Sequence, residues 1–146
     1  MLTAIAIAAA TAATAPPPIN LICTGTALKD ERVGTTLDFI GGNVRTERIG
    51  TQDTIRFTIE AGGTGTAYLP GRLQSPYKEA NKDGSFNLMR VVQTNNEITG
   101  QIRLHANYKP KFRLDRLSGV VTVNGVLGEF SGTCERFDPA TVERKF

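Results

Sequence analysis

From Asp53 to Ala61 the chain alternates without a break: Ile55, Phe57, Ile59 and Ala61 fall on one side, Arg56, Thr58 and Glu60 on the other. A period of two over such a run predicts a strand with one face in a core and one in water. Residues 97–106, EITGQIRLHA, repeat the pattern, with Ile98, Gly100, Ile102, Leu104 and Ala106 inward and Glu97, Thr99, Gln101, Arg103 and His105 outward. Weaker runs, INLICTGTALK, TTLDFI, NVRTERI, TGTAYLP and SFNLMRVV, lie between turn signals. Together they predict about eight to ten strands and an all-β fold, an antiparallel meander barrel or a sandwich.

Register is predicted unevenly. In VVTVNGVLGEF, residues 120–130, Asn124-Gly125 is a strong hairpin signal, because both central positions of a type I′ turn need positive φ. A turn there pairs Val123 with Val126, Gly119 with Phe130 and Leu117 with Gly132, and lays Phe130 over Gly119. It also puts Phe130, Gly132 and Cys134 on the core face, where Ile19, Leu21 and Cys23 of the first strand point. Phe112 and Leu114 are out of phase with Leu117 and Gly119, which predicts a bulge near Asp115 and Arg116. The loop at Thr94, Asn95 and Asn96 leaves two registers open. A two-residue turn sends Met89 and Val91 inward, and a three-residue loop selects Phe86, Leu88 and Val92. The glycine-rich AGGTGTAY, residues 61–68, has no strand-to-helix context and reads as a tight turn between strands. Asp138-Pro139 allows a short C-terminal helix through Lys145.

The leader changes the picture. Residues 1–15, MLTAIAIAAATAATA, carry no charge and stop at Pro16, Pro17 and Pro18, short of the roughly 20 apolar residues of a spanning helix. They read as a cleaved signal peptide without Lys or Arg in its n-region, with cleavage favoured after Ala10, Ala12 or Ala13. Residues 16–146 are then a single β-barrel-like domain that is periplasmic or secreted, with no transmembrane segment in its mature form. Ile22, bulky and β-branched, argues against lipid attachment at Cys23. In an oxidising compartment Cys23 and Cys134, the only two cysteines, are expected to be bridged. Closing a loop of about 110 residues contributes about 4–5 kcal/mol in the chain-entropy picture.

Candidate chemistry is sparse. His105 is the only histidine, so with both cysteines bridged a zinc cluster lacks ligands, and neither metal nor cofactor is expected. There is no Gly-x-Ser-x-Gly elbow, and Ser85, Ser118 and Ser131 have no histidine near in sequence. The carboxylates Asp53, Glu60, Asp115 and Glu129 show no spacing that selects an acid–base pair. The chain has no tryptophan and so lacks the Gly-x-Trp signature of lipocalins. Charge does single out one region. Arg90, Arg103, Lys109, Lys111, Arg113 and Arg116 against Glu97 and Asp115 give residues 86–116 a charge of +4, where the whole chain carries +3. Lys109, Lys111 and Arg113 alternate on one side of a strand. With Arg103 and His105 beside them and Tyr108 at the turn, they form a candidate anion-binding surface. The expected function is a non-catalytic binding or structural module, whose partner is an anionic envelope polymer or an envelope protein rather than nucleic acid. The rivals are an inhibitor of a cell-wall hydrolase and a carboxylate-based hydrolase.

With LICTGT near the front, FSGTCE at the back and DRLSG leading into the final hairpin, the chain resembles small exported proteins of Gram-negative bacteria. Those proteins have no assigned function and carry an N-terminal C-x-G and a C-terminal F-x-G-x-C motif. The resemblance implies export and a β fold, and no particular chemistry. The end-to-end cysteine plan is similar in outline to periplasmic lysozyme inhibitors of the small-barrel type, although no Ser-Gly-x-Arg-Tyr-like loop occurs.

Overall fold

A computed structural model describes residues 16–125 and 128–138. The leader and the expected C-terminal helix lie outside the described residues. Eight antiparallel strands follow one another around a closed barrel: β1 (Ile19–Val33), β2 (Arg45–Ile59), β3 (Gly65–Tyr68), β4 (Phe86–Gln93), β5 (Glu97–Ile102), β6 (Lys111–Asp115), β7 (Val120–Gly125) and β8 (Gly128–Arg136). Barrel rather than sandwich is therefore the outcome. No helix among the described residues is long and apolar enough to cross a membrane.

The alternating runs fill the core as their spacing demands. Ile55, Phe57 and Ile59 of β2 and Ile98 and Ile102 of β5 are buried, joined by Phe86, Leu104, Val121, Val123 and Phe130. Phe57 and Phe112 meet across the interior with ring centroids 5.1 Å apart. Each alternation stops short of its expected end, since Ala61 and Ala106 are exposed in turns.

The seam between β1 and β8 closes the barrel. Cys23 pairs with Cys134, Thr24 with Thr133 and Gly25 with Gly132, so Cys-Thr-Gly meets its mirror image Gly-Thr-Cys rung by rung. Cys23 and Cys134 are disulfide-bonded. At the glycine rung the backbones come so close that a Cβ on Gly25 would overlap the Ser131 carbonyl, and one on Gly132 the Thr24 carbonyl. The motifs at the two ends of the sequence thus form a single ladder.

Four register expectations need correction. Gly125 pairs with Gly128 and Val123 with Phe130, so Asn124 and Gly125 are rungs of the β7–β8 ladder and not its turn. The shift is even, which is why Phe130 still points inward. Gly119 faces Cys134 instead, accepting from the Cys134 N–H at 2.8 Å, and the aromatic that covers a strand glycine is Phe112 over Gly100. The phase break after Leu114 is a loop and not a bulge. The Asp115 carboxylate accepts from the N–H groups of Leu117 and Ser118, and Leu117 is 82% exposed. TTLDFI forms no strand: Thr36–Gly41 is a short helix, α1, stopped where Gly42 adopts φ 76°. Beyond the hairpin tip a strand would have no neighbour, whereas a helical turn satisfies its own backbone.

The open choice in β4 resolves into both registers. Leu88 pairs with Ile102, the three-residue register, and buries Phe86 and Leu88; Val92 pairs with Thr99, the two-residue register, and turns Val91 toward the core. A bulge at Arg90, whose φ is 51°, switches one into the other.

β1 and β2 outrun the barrel. β1 pairs with β8 only as far as Leu28, and β2 with β3 only over Arg56–Ile59. The remainder of each strand pairs only with the other, as a ribbon that carries α1 at its tip.

Candidate functional site

On the outer face of β4–β7 the alternation that sends Phe112 and Leu114 inward sends Lys111 and Arg113 out, flanked by Gln101 and Thr99 of β5 and Asn124 and Thr122 of β7. These side chains and Arg90 line a shallow depression of about 330 Å³. A second depression of about 460 Å³, lined by Asn107, Tyr108, Lys109 and Pro110, shares Lys111 and Asn124 with the first. The two form one open groove.

The expected residues divide. Tyr108, Lys109, Lys111 and Arg113 lie along the groove. Arg103 and His105 do not: Glu79, from the long connection between β3 and β4, takes both, with the Arg103 guanidinium at 3.4 Å and His105 Nε2 at 3.7 Å. His105 is also a turn residue, its Nδ1 accepting the Asn107 N–H at 3.3 Å. Tyr108 is half-buried against the core, with its hydroxyl over Gly125, so it offers an edge and not an exposed platform.

Electrostatically the groove is cationic with one partial offset. Arg113 pairs with Glu97 at 2.8 Å. Arg90, Lys109 and Lys111 have no carboxylate partner among the described residues. Arg90 was legible as a charge but not as a member of the site. Its place depends on the bulge, whose sequence signal is the unresolved choice between two registers in SFNLMRVV.

The carboxylates form no pair. Glu60 holds Thr64, Glu129 holds Arg48, Asp53 accepts from Thr51, and Asp115 is turned into its own loop. The hydrogen bonds from Ser118 and Leu117 keep the Asp115 carboxyl below its ordinary range. Among the described residues the most perturbed acid is elsewhere. Asp83 accepts from the Ser85 hydroxyl at 2.6 Å, the Ser85 N–H at 3.0 Å and the Tyr68 hydroxyl at 2.8 Å. Those bonds lower it to about 2, and the bond to Asp83 raises Tyr68. This is a structural clasp between the start of β4 and the end of β3. No group of three or more histidine, cysteine or acidic side chains among the described residues is placed to hold a metal. No known protein family, curated protein or solved structure matches the chain.

Proposed function

We propose that the protein is an exported, non-catalytic module, periplasmic or secreted, that holds an anionic polymer of the cell envelope along the β4–β7 groove. The observation that carries this reading is the convergence of Arg90, Lys109 and Lys111, none paired with a carboxylate among the described residues, on one continuous open groove. Amide and hydroxyl groups from Gln101, Asn124, Thr99 and Thr122 lie between the cations. That mixture suits a chain of anionic sugars, whose carboxylates or phosphates alternate with hydroxyls. The shallow cross-section suits a polymer better than a small molecule, which needs enclosure. The disulfide and the apolar leader support the oxidising compartment.

Arg90 adds a second support. A left-handed conformation costs an ordinary side chain about 1–2 kcal/mol relative to the right-handed one, and such strain is concentrated at functional positions. Asparagine tolerates that conformation better. Arg90→Asn is therefore expected to leave stability unchanged or raised while weakening polymer binding.

The direct test is affinity electrophoresis in gels containing polygalacturonate, with neutral dextran as control, at two salt concentrations. The Lys109, Lys111, Arg113→Ser triple variant is expected to lose about tenfold in affinity, from exposed charge contacts of roughly 0.2–1 kcal/mol each. The difference should shrink as salt rises. A triple variant of equal charge change, Arg32, Lys78, Lys82→Ser, controls for net charge. Equal losses in both triple variants would reduce the groove to a solvated face.

A further inference from the structure

The two ends of the barrel are finished differently. At the end where the ribbon leaves, the connection between β3 and β4 buries Leu69, Leu73 and Ser75, with Leu73 against Gly128. At the opposite end Ile19, Leu21, Ile98 and Leu114 line a cavity of about 150 Å³ that reaches the disulfide at Cys134. Through Ile19, Arg116 and Arg136 it opens into a wider depression of about 540 Å³.

Two arginines guard an apolar floor. Arg136 stands opposite Leu21, two positions after Cys134, on the core-facing parity of β8. Its side chain is exposed at the end of the barrel and lines the cavity mouth, and it has no carboxylate partner among the described residues. Arg116 is held by backbone: its N–H donates to the Asn96 carbonyl at 2.8 Å, and its guanidinium donates to the Thr94 carbonyl at 2.8 Å. That leaves further guanidinium donors for the mouth. The nearby Asp115 carboxylate is engaged by the Leu117 and Ser118 N–H groups. Asp138 also lines the wider depression. At the narrower cavity two guanidiniums stand over hydrocarbon, and its one carboxylate, Asp115, already accepts from two backbone N–H groups, a setting that fits an anion with an apolar body.

We infer that this mouth is a binding site for a small carboxylate of amphipathic shape, such as a medium-chain fatty acid. The carboxylate lies on Arg136 and Arg116 and the hydrocarbon on Ile19, Leu21, Ile98 and Leu114. The site is separate from the outer groove, and its existence does not depend on that reading.

Isothermal titration tests it with octanoate as probe. Octyltrimethylammonium has the body without the anion, and acetate has the anion without the body. Octanoate is expected to bind saturably at one site per chain, with both controls at least tenfold weaker. Arg136→Gln should weaken octanoate about tenfold, the scale of a lost charged hydrogen bond. Arg136→Lys should recover part of that loss, which a merely structural role would not produce. Ile19→Ser should weaken octanoate and leave acetate unchanged. The Lys109, Lys111, Arg113→Ser variant should bind octanoate normally, so failure at one site is distinguishable from failure at the other. Absence of saturable octanoate binding, equal binding of octyltrimethylammonium, or an unchanged affinity in a folded Arg136→Gln protein would overturn the inference.

Discussion

β1 and β2 pass through two environments within single strands. From Leu21 to Leu28, β1 lies between β2 and β8 and buries Leu21, Cys23 and Ala27; from Lys29 to Val33 its strand partner among the described residues is β2 alone. β2 divides likewise, with Ile55, Phe57 and Ile59 in the core and Arg45 to Gly50 in the ribbon. The backbone ladder is continuous from one region to the other. Backbone hydrogen bonding therefore does not distinguish barrel from ribbon. Side-chain burial and the number of neighbouring strands do.

The sequence changes where the environment does. Leu28 is followed by Lys29, Asp30, Glu31 and Arg32, so both faces of the strand become charged and no core can form. Glu31 and Glu47 even stand directly opposite each other, an unfavourable like-charge rung. Arg72 bridges Glu31 at 3.4 Å and Arg45 bridges Glu47 at 2.7 Å. Arg48 reaches Asp30 at 3.9 Å and Glu129 at 2.7 Å, tying the ribbon's base to β8. All these groups are substantially exposed, so each pair contributes about 0–1 kcal/mol. Beyond its backbone ladder the ribbon is held by a few weak, salt-sensitive contacts, and the barrel by a buried apolar core.

The sharpest way to break this comparison uses two apolar residues on the same side of β2. Phe57→Ala empties a buried site beside Phe112 and is expected to cost about 3–5 kcal/mol. Ile49→Ala, eight positions earlier in the ribbon, removes a half-exposed side chain and should cost under about 1 kcal/mol. Urea denaturation of both variants measures the ratio. Comparable losses would mean that the ribbon has a core of its own.

Removing the seam disulfide comes next. A Cys23, Cys134→Ser double variant is expected to lose about 2–5 kcal/mol. The loss should appear in the unfolding midpoint and leave the ribbon's local hydrogen exchange unchanged, because the bond joins β1 to β8 inside the barrel.

Two glycines give a smaller contrast. Gly132→Ala meets the Thr24 backbone, which cannot yield without separating β1 from β8, and should cost about 1–3 kcal/mol. At Gly50 the nearest atoms are the ends of the Leu28 and Thr26 side chains, both 3.2 Å away, so Gly50→Ala should stay within about 0.5 kcal/mol. Equal effects would show that the seam relaxes as readily as the ribbon.

What could be read beforehand follows the same division. Ile55, Phe57, Ile98 and Ile102 declared their faces because a core imposes a strict period of two. The bridge between Cys23 and Cys134 followed from their number. The mirror relation of Cys-Thr-Gly and Gly-Thr-Cys matches the seam register, but it acquires that meaning only when the barrel sets the two ends of the chain side by side. The ribbon was not legible as one element, because charge on both faces removes the periodicity, and its tip passed for a strand. Asn124-Gly125 misled because a local turn preference lost to the ladder that pairs Val123 with Phe130. Of the candidate groove, Lys109, Lys111 and Arg113 followed from alternation. The diversion of Arg103 and His105 to Glu79 did not, because it depends on where an irregular connection lies in space.

The smallest expected effect concerns acid, and it separates the barrel's polar clasp from the ribbon's ion pairs. Asp83 is lowered from 3.8 to about 2 because its carboxylate accepts from Ser85 and Tyr68, bonds that favour the ionised form. A carboxyl that is more acidic in the folded protein than in the unfolded chain stabilises the fold above its unfolded value. That contribution fades as pH falls from about 3.8 toward about 2, where the folded form also takes up its proton. Asp83→Asn keeps the shape and removes the titration. The melting temperature of the variant should therefore lie slightly below that of the parent at pH 5, and the gap should close by about pH 2. Raising the salt concentration at pH 5 supplies the contrast. It weakens the exposed pairs at Arg45, Arg48 and Arg72 by screening, but the Asp83 clasp is made of short hydrogen bonds and should hardly respond. A gap that persisted unchanged to pH 2, or that vanished in salt at pH 5, would show that Asp83 acts as one more surface charge and not as the acceptor that joins β3 to β4.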